Sequence, residues 1–289
     1  MYENILLPVD GNDDAAEILH HVGEIATWTS ATVRLLFVAD TTRDSVAVVE
    51  NTVVDTLVQE GEKVVEEAGK TLNSLGVEYT TDVVQGNPAP TIVDYAERYN
   101  HDLIVVPSHA RGGVSRYLHG SVSEKVVRLS PVPVLTARMK PDEQLEFPYK
   151  NLLIPTDGSA EATTAADHGL ELAKSLNATV HVLSVVDDAS LGPDIRSELL
   201  TEELEQVATK AVDQIVTEAK TRGLTDVIGH IGSGSPATEI QSTIEPNDIH
   251  AVIMGTTGRQ GIDRILLGSV AETTVRSAPV PVITVAGNS

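Results

Sequence analysis

The sequence predicts an α/β protein built as two tandem, doubly wound, five-stranded parallel-sheet domains. Three observations carry this. Short apolar runs alternate with segments of helical periodicity. The whole alternation is written twice. The apolar residues, 41% of the chain, include only 3% aromatics, so the cores are built from Val, Ile, Leu and Ala, as buried parallel strands require.

In the first copy, Ile5 to Val9 reads as a buried strand. Ala15, Ile18, Leu19, Val22, Ile25 and Ala26 follow at helical spacing. Thr32 to Val38 is a second strand, and Asn51 to Leu75 a long polar-faced helix ended by Gly76. Val77 to Val84 is a third strand, Thr91 to Arg98 a short helix, and Leu103 to Val106 a fourth strand. A helix follows Gly120-Ser121, and Val132 to Ala137 is the fifth strand. Strands alternating with helices imply right-handed crossovers and a parallel sheet.

The second copy keeps register with the first. Asn4-Ile-Leu-Leu-Pro-Val-Asp-Gly11 recurs as Asn151-Leu-Leu-Ile-Pro-Thr-Asp-Gly158. Val38-Ala-Asp40 matches Val185-Val-Asp187, and Gly86-Asn-Pro-Ala89 matches Gly234-Ser-Pro-Ala237. Arg116-Tyr-Leu-His-Gly-Ser-Val122 matches Arg264-Ile-Leu-Leu-Gly-Ser-Val270, and Pro131-Val-Pro-Val134 matches Pro279-Val-Pro-Val282. The domains expected are 1–139 and 149–289, joined by the charged, proline-bracketed stretch from Met139 to Pro148. The paired prolines mark the fifth strand of each copy as an edge. Two such edges suit an intrachain pseudo-dimer, which is the favoured reading; the alternative is that the prolines block unwanted edge pairing.

The net charge is −22, from 42 acidic and 20 basic residues. Such a surface repels phosphate backbones and anionic lipid, so neither nucleic acid nor membrane is an expected partner. It also suits a salt-rich cytosol, where screening relieves self-repulsion. The absence of cysteine excludes disulfides, zinc–thiolate sites and thiol nucleophiles. Met1 to Pro8 has no basic n-region and reads as a first strand, and no apolar stretch reaches a membrane span. A soluble cytoplasmic protein is expected. The nine histidines are scattered, and His20-His21 reads as a surface pair.

Ligands of open α/β sheets bind outside the carboxyl ends of the strands. There, the strand Ala251 to Met254 runs into Gly255-Thr-Thr-Gly258-Arg259-Gln-Gly261, and the loop closes at Gly268-Ser269 as a helix begins. Glycines allow close backbone approach, successive N–H groups form anion-binding concavities, and a helix N-terminus favours negative charge. Arg259 adds a charged donor. The loop holds no Gly-Lys-Ser/Thr and so is not a Walker A loop. Ser269-Val-Ala-Glu272 and Ser121-Val-Ser-Glu124 also fit a capping box, which needs no ligand.

The spaced motif Gly255-x2-Gly258-x9-Gly268-Ser269 resembles the signature of the universal stress protein family in its ATP-binding branch. Asp157-Gly158, Val185 with Asp187, and the Pro-Val-Pro-Val ending are similar to the same family, and the resemblance runs along the chain twice. It implies a five-stranded, adenine nucleotide α-hydrolase-type fold that binds ATP at the strand ends. Residues matching Asp157 and Val185 would meet the adenine. Those matching Gly255, Gly258, Gly268, Ser269 and Val270 would meet ribose and phosphates. The bland alternatives are that Asp157 only caps a turn and that Val185 is core. The first copy departs from the pattern: Pro107 stands for Gly255 and Ala110 for Gly258, while Asp10, Val38, Gly120 and Ser121 survive. A weakened first site is expected, which His109 and Arg111, or the N–H groups of Gly112 and Gly113, still serve.

Three functional classes follow. The leading one is a nucleotide-dependent regulator or switch in a stress response, with an unidentified protein partner and a homodimer compatible with the family's habit. The second is a slow Mg²⁺-dependent ATPase, in which Mg²⁺ held by the phosphates and by Asp157 activates water. The third is an interaction module whose loops are only helix caps. An ATP pyrophosphatase is disfavoured, because no Ser-Gly-Gly-x-Asp-Ser loop follows the first strand.

Overall fold

A computed structural model describes residues 1–11, 15–40, 52–107, 122–138, 145–187, 198–256 and 267–287. The chain divides into two compact units, Tyr2–Phe147 and Pro148–Ser289, the latter with Met1.

In the first unit the chain runs β1 (Asn4–Pro8), α1 (Ala15–Thr29), β2 (Thr32–Asp40), α2 (Thr52–Ser74), β3 (Tyr79–Gly86), α3 (Pro88–Arg98), β4 (Leu103–Pro107), α4 (Val122–Leu129) and β5 (Val134–Ala137). Its strands lie in the order β3-β2-β1-β4-β5, all parallel. The second unit runs β6 (Asn151–Pro155), α5 (Ala160–Leu176), β7 (Thr179–Val186), α6 (Glu198–Thr221), β8 (Val227–Ser233), α7 (Pro236–Ile244), a 3-10 turn at Glu245–Asn247, β9 (Ala251–Gly255), α8 (Ser269–Ser277) and β10 (Val282–Val285). Its order is β8-β7-β6-β9-β10, again parallel.

This doubly wound topology has one cause. Right-handed crossovers are the rule between parallel strands, so winding outward from β6 to β8 and then back to β9 and β10 puts helices on both faces. In the second unit, α5 and α6 cover one face. Gly169 of α5 lies so near the sheet that a Cβ there would sit 2.8 Å from Ile154 Cδ1. Helices α7 and α8 cover the other face, where Ile240, Ile244, Ala271 and Val275 pack on Leu153, Leu183, Val252, Met254 and Val282. The central strands read as unbroken apolar runs because they are buried on both sides; Leu152, Leu153, Ile154, Val252 and Ile253 are wholly inaccessible. Burying each such side chain is worth about 2 kcal/mol, set against its ordering entropy.

Element boundaries differ from the sequence reading for local reasons. β3 starts at Tyr79 rather than Val77, because the Val77 N–H still closes α2 by donating to Leu72 O at 3.1 Å. Gly76 supplies the positive φ of +73° that this helix ending requires. α3 starts at Pro88 rather than Thr91, with proline in its first turn, where no N–H is needed. β5 starts at Val134 rather than Val132. Pro133 and Pro281 stand just before their strands and offer only carbonyls, which take the N–H groups of Ile104 and Val252 at 2.9 and 3.0 Å. His20-His21 is not a surface pair: His20 is exposed, but His21 is 1% exposed, beside the Phe147 ring.

Candidate functional site

Parallel strands carry their carboxyl ends to one edge of the sheet. In the second unit, Pro155 stands opposite Leu183 and Gly255 opposite Val285, and β7 runs on past Leu183 to Val186. β6 has β7 on one side and β9 on the other, which makes the β6/β9 boundary the topological switch point, where open α/β sheets bind their ligands. Asp157 follows β6, Val185 lies next to last in β7, Gly255 ends β9, and Gly268-Ser269 opens α8. The topology therefore brings the described members of the expected site to one edge.

A tight turn holds Asp157. The Thr156 N–H donates to Leu183 O at 2.8 Å, and the Gly158 N–H donates to Thr156 Oγ1 at 3.1 Å. Gly158 takes φ +77°. The Ser159 N–H donates to Asp157 Oδ1 at 2.9 Å, and Ser159 Oγ accepts the Ala162 N–H at 3.1 Å, capping α5. The turn-capping role weighed for Asp157 is thus present in the structure. Thr156 and Ser159 are positioning residues that the sequence reading did not name. Their signal is there: Thr156 replaces Val9 in the other copy, and Ser159 directly precedes a helical pattern. Val185 is half-buried and packs on the core between the sheet and α7, so its packing role is present too.

The same edge carries the start of α8. The Gly268 N–H donates to Thr256 O at 2.8 Å, which ties the helix entry to the end of β9. Gly268 is the N-cap, with φ −62° and ψ 142°, and no side chain caps the helix. This overturns the capping-box alternative for Ser269-x-x-Glu272. Ser269 is already the first helical residue, and the Glu272 carboxylate instead pairs with Arg276 at 3.0 Å. The first-turn N–H groups of Ser269, Val270 and Ala271 therefore receive no side-chain acceptor among the described residues, and the helix dipole adds partial positive charge there. Ser269 is exposed; Val270 is half-buried against the core. Gly258 and Arg259 lie outside the described residues.

In the first unit the same edge carries Asp10 after β1 and Val38 near the end of β2. Asp10 is exposed, Val38 half-buried, and Gly11 repeats the φ of +77°. Pro107 ends β4 opposite Ala137, as Gly255 ends β9 opposite Val285. Ala110, Gly120, Ser121 and the neighbouring His109, Arg111, Gly112 and Gly113 lie outside the described residues, as does the first copy's Ser121 capping box. A Gly-Lys-Thr triplet does occur elsewhere, at Gly69-Lys70-Thr71, but it lies within α2 with Lys70 paired to Glu66 at 2.9 Å; it is not a phosphate loop. Among the described residues, no three His, Asp or Glu side chains gather to hold a metal ion, and no helix is long and apolar enough to cross a membrane.

The universal stress protein family model matches residues 1–138 and again 148–286, nearly the whole chain in two passes. The chain belongs to the universal stress protein family. A universal stress protein of Methanocaldococcus jannaschii is 39% identical over 144 residues, which cover 47% of this chain and 82% of that one. The crystal structure of a universal stress protein from Archaeoglobus fulgidus superposes with a TM-score of 0.74, at 24% identity, and covers 99% of this chain and 98% of its own. A functionally unknown protein of Pseudomonas aeruginosa PAO1 gives a TM-score of 0.66 at 20% identity, covering 99% of this chain and 93% of its own. These two likenesses are likenesses of fold.

Proposed function

We propose that the second repeat binds ATP across the carboxyl ends of β6, β7 and β9, and that occupancy, rather than turnover, is what the protein transmits to a partner. The observation that carries this reading is the start of α8: an N-cap without a side chain leaves first-turn N–H groups and the helix dipole available to phosphate at the switch point. Membership of the family adds to it, because Gly255, Gly258, Gly268 and Ser269 match that family's nucleotide signature.

In this reading Asp157 and Val185 meet the adenine. Gly255, Gly258, Gly268, Ser269 and Val270 approach ribose and phosphates, and Arg259 supplies a charged donor. Mg²⁺ would enter on the phosphates. The first repeat is the weaker counterpart, since Pro107 has no N–H and Ala110 carries a Cβ where approach must be close. Bound ATP orders the strand-end face and so changes which partner it fits.

Isothermal titration of the whole chain with Mg-ATP in high KCl tests this. The expected result is one ATP per chain, with affinity lost in Gly258→Val. A folded sample that binds no ATP, or a Gly258→Val variant that binds as well, overturns the site. Steady ADP release abolished by Asp157→Ala would make the protein an enzyme; retention of intact ATP supports the switch.

A further inference from the structure

On the face covered by α7 and α8, away from the strand ends, two histidines meet across the outermost pair of strands. His181 of β7 lies opposite Leu153 of β6, and His230 of β8 lies opposite Leu183, so both rings stand on that one face. His181 Nδ1 and His230 Nε2 are 3.0 Å apart. The ring planes are 8° from parallel and the centroids 5.2 Å apart. The centroid separation exceeds the N···N distance by about two ring radii. The rings therefore meet edge to edge in one plane, joined by a hydrogen bond, rather than face to face. His181 is 4% exposed and His230 is half-buried near the open edge of β8.

We propose that His181 and His230 form a proton-counting clasp, which holds edge strand β8 on β7 while the pair carries at most one added proton and releases it when a second arrives. The chemistry follows from the valence of imidazole. Two neutral rings share one inner N–H, which one nitrogen donates and the other accepts. A first added proton goes to an outer nitrogen and leaves the inner bond intact, now charge-assisted. A second leaves both inner nitrogens protonated, and N–H then faces N–H between two cations. Burial holds both rings below the usual histidine range, and for His181 the charge of His230 adds to this. The other charged groups on the elements covering this face are Glu239 of α7, Glu245 and Asp248 after it, and the Glu272–Arg276 pair of α8. Glu239 lies over Gly232, farther along β8 toward the strand ends. None of these carboxylates offsets the lowering of either ring.

The other repeat fastens its edge differently. Arg34 occupies the place of His181, and Asp82, opposite Leu36, the place of His230. There the Tyr95 hydroxyl donates to Asp82 Oδ2 at 2.8 Å. The proton-counting device is thus confined to the second repeat. Because Val185 pairs with Gly232, release of β8 also uncovers one flank of Val185.

The test is an NMR titration of the full-length chain with labelled histidine, from pH 8 to pH 4, beside hydrogen exchange of the β8 amides corrected for intrinsic rate. The expected result is two linked steps shared by His181 and His230. β8 protection survives the first step and falls at least tenfold at the second, while β6 and β7 stay protected. His230→Gln, whose neutral amide can donate to His181 or, turned over, accept from it once that ring is protonated, is expected to keep β8 protected through the same range. Rings that titrate independently overturn the proposal. So does protection of β8 unchanged to pH 4, loss of β8 only together with β6 and β7, or equal loss in His230→Gln. The wild-type titration decides the matter even if the variant fails to fold.

Discussion

The Gly268 N–H donates to Thr256 O at 2.8 Å, so the residue that starts α8 is fastened to the residue that leaves β9. This one bond fixes where the helix N-terminus points without spending a side chain on it. Gly268 has ordinary extended dihedrals, so a larger residue can take its place without backbone strain. Gly268→Ser would install the missing cap. Stability is expected to rise by a few tenths of a kcal/mol. ATP affinity should fall about tenfold, because the hydroxyl now competes for the N–H groups and crowds the phosphates. Thermal melting and titration calorimetry on the same sample check both halves. A Gly268→Ser variant with undiminished affinity would mean that phosphate does not approach this helix.

Gly158 sits at φ +77°, where an L-residue pays for its Cβ. Gly158→Ala is expected to cost about 1–2 kcal/mol and to pull Asp157 from its turn. The readout is chemical denaturation followed by signals from the second repeat. An unchanged midpoint would show that the turn is not under that constraint.

Buried His21 makes the first repeat sensitive to acid. Burial lowers its pKa from 6.5 to about 4. The folded form therefore holds the neutral ring while the unfolded chain protonates first. The stabilisation is complete above the unfolded value of about 6.5 and is lost as pH falls toward 4. The loss is on the order of 3 kcal/mol at most. Trp28, the chain's only tryptophan, packs 5.8 Å from Phe147 within this unit, so its fluorescence follows this unfolding. His21→Gln should flatten the slope between those pH values; an unchanged slope would place the acid response elsewhere.

The charge of −22 predicts the salt response. Raising KCl screens self-repulsion, whose range is already only about 10 Å at 0.1 M. The melting temperature is expected to climb steadily into the molar range. A flat dependence would show that the acidic surface does not strain the fold.

Much of this was legible in the sequence because the determinants are local and repeated. The apolar runs around Leu6 and Leu153 could only be strands buried on both faces, and the match of Asn4 to Gly11 with Asn151 to Gly158 reveals the doubling. Gly76 marked the end of its helix because αL backbone favours glycine there. What escaped depended on distant partners. His21 is polar by type, yet it lies buried beside Phe147, far along the chain. The His181–His230 bond needs strands 49 residues apart to pair in one register. Ser269-x-x-Glu272 read equally well as a capping box, and only the position of Gly268 at the N-cap decides against it.

Pro107 and Gly255 end equivalent strands of a single polypeptide. Under the proposed reading, every molecule leaves the ribosome with one strong and one weak nucleotide site. That ratio is fixed by covalent linkage and does not vary with expression level. The strong site then fills along a simple saturation curve, and a second, shallower rise at higher ATP measures how much affinity the proline-bearing loop retains.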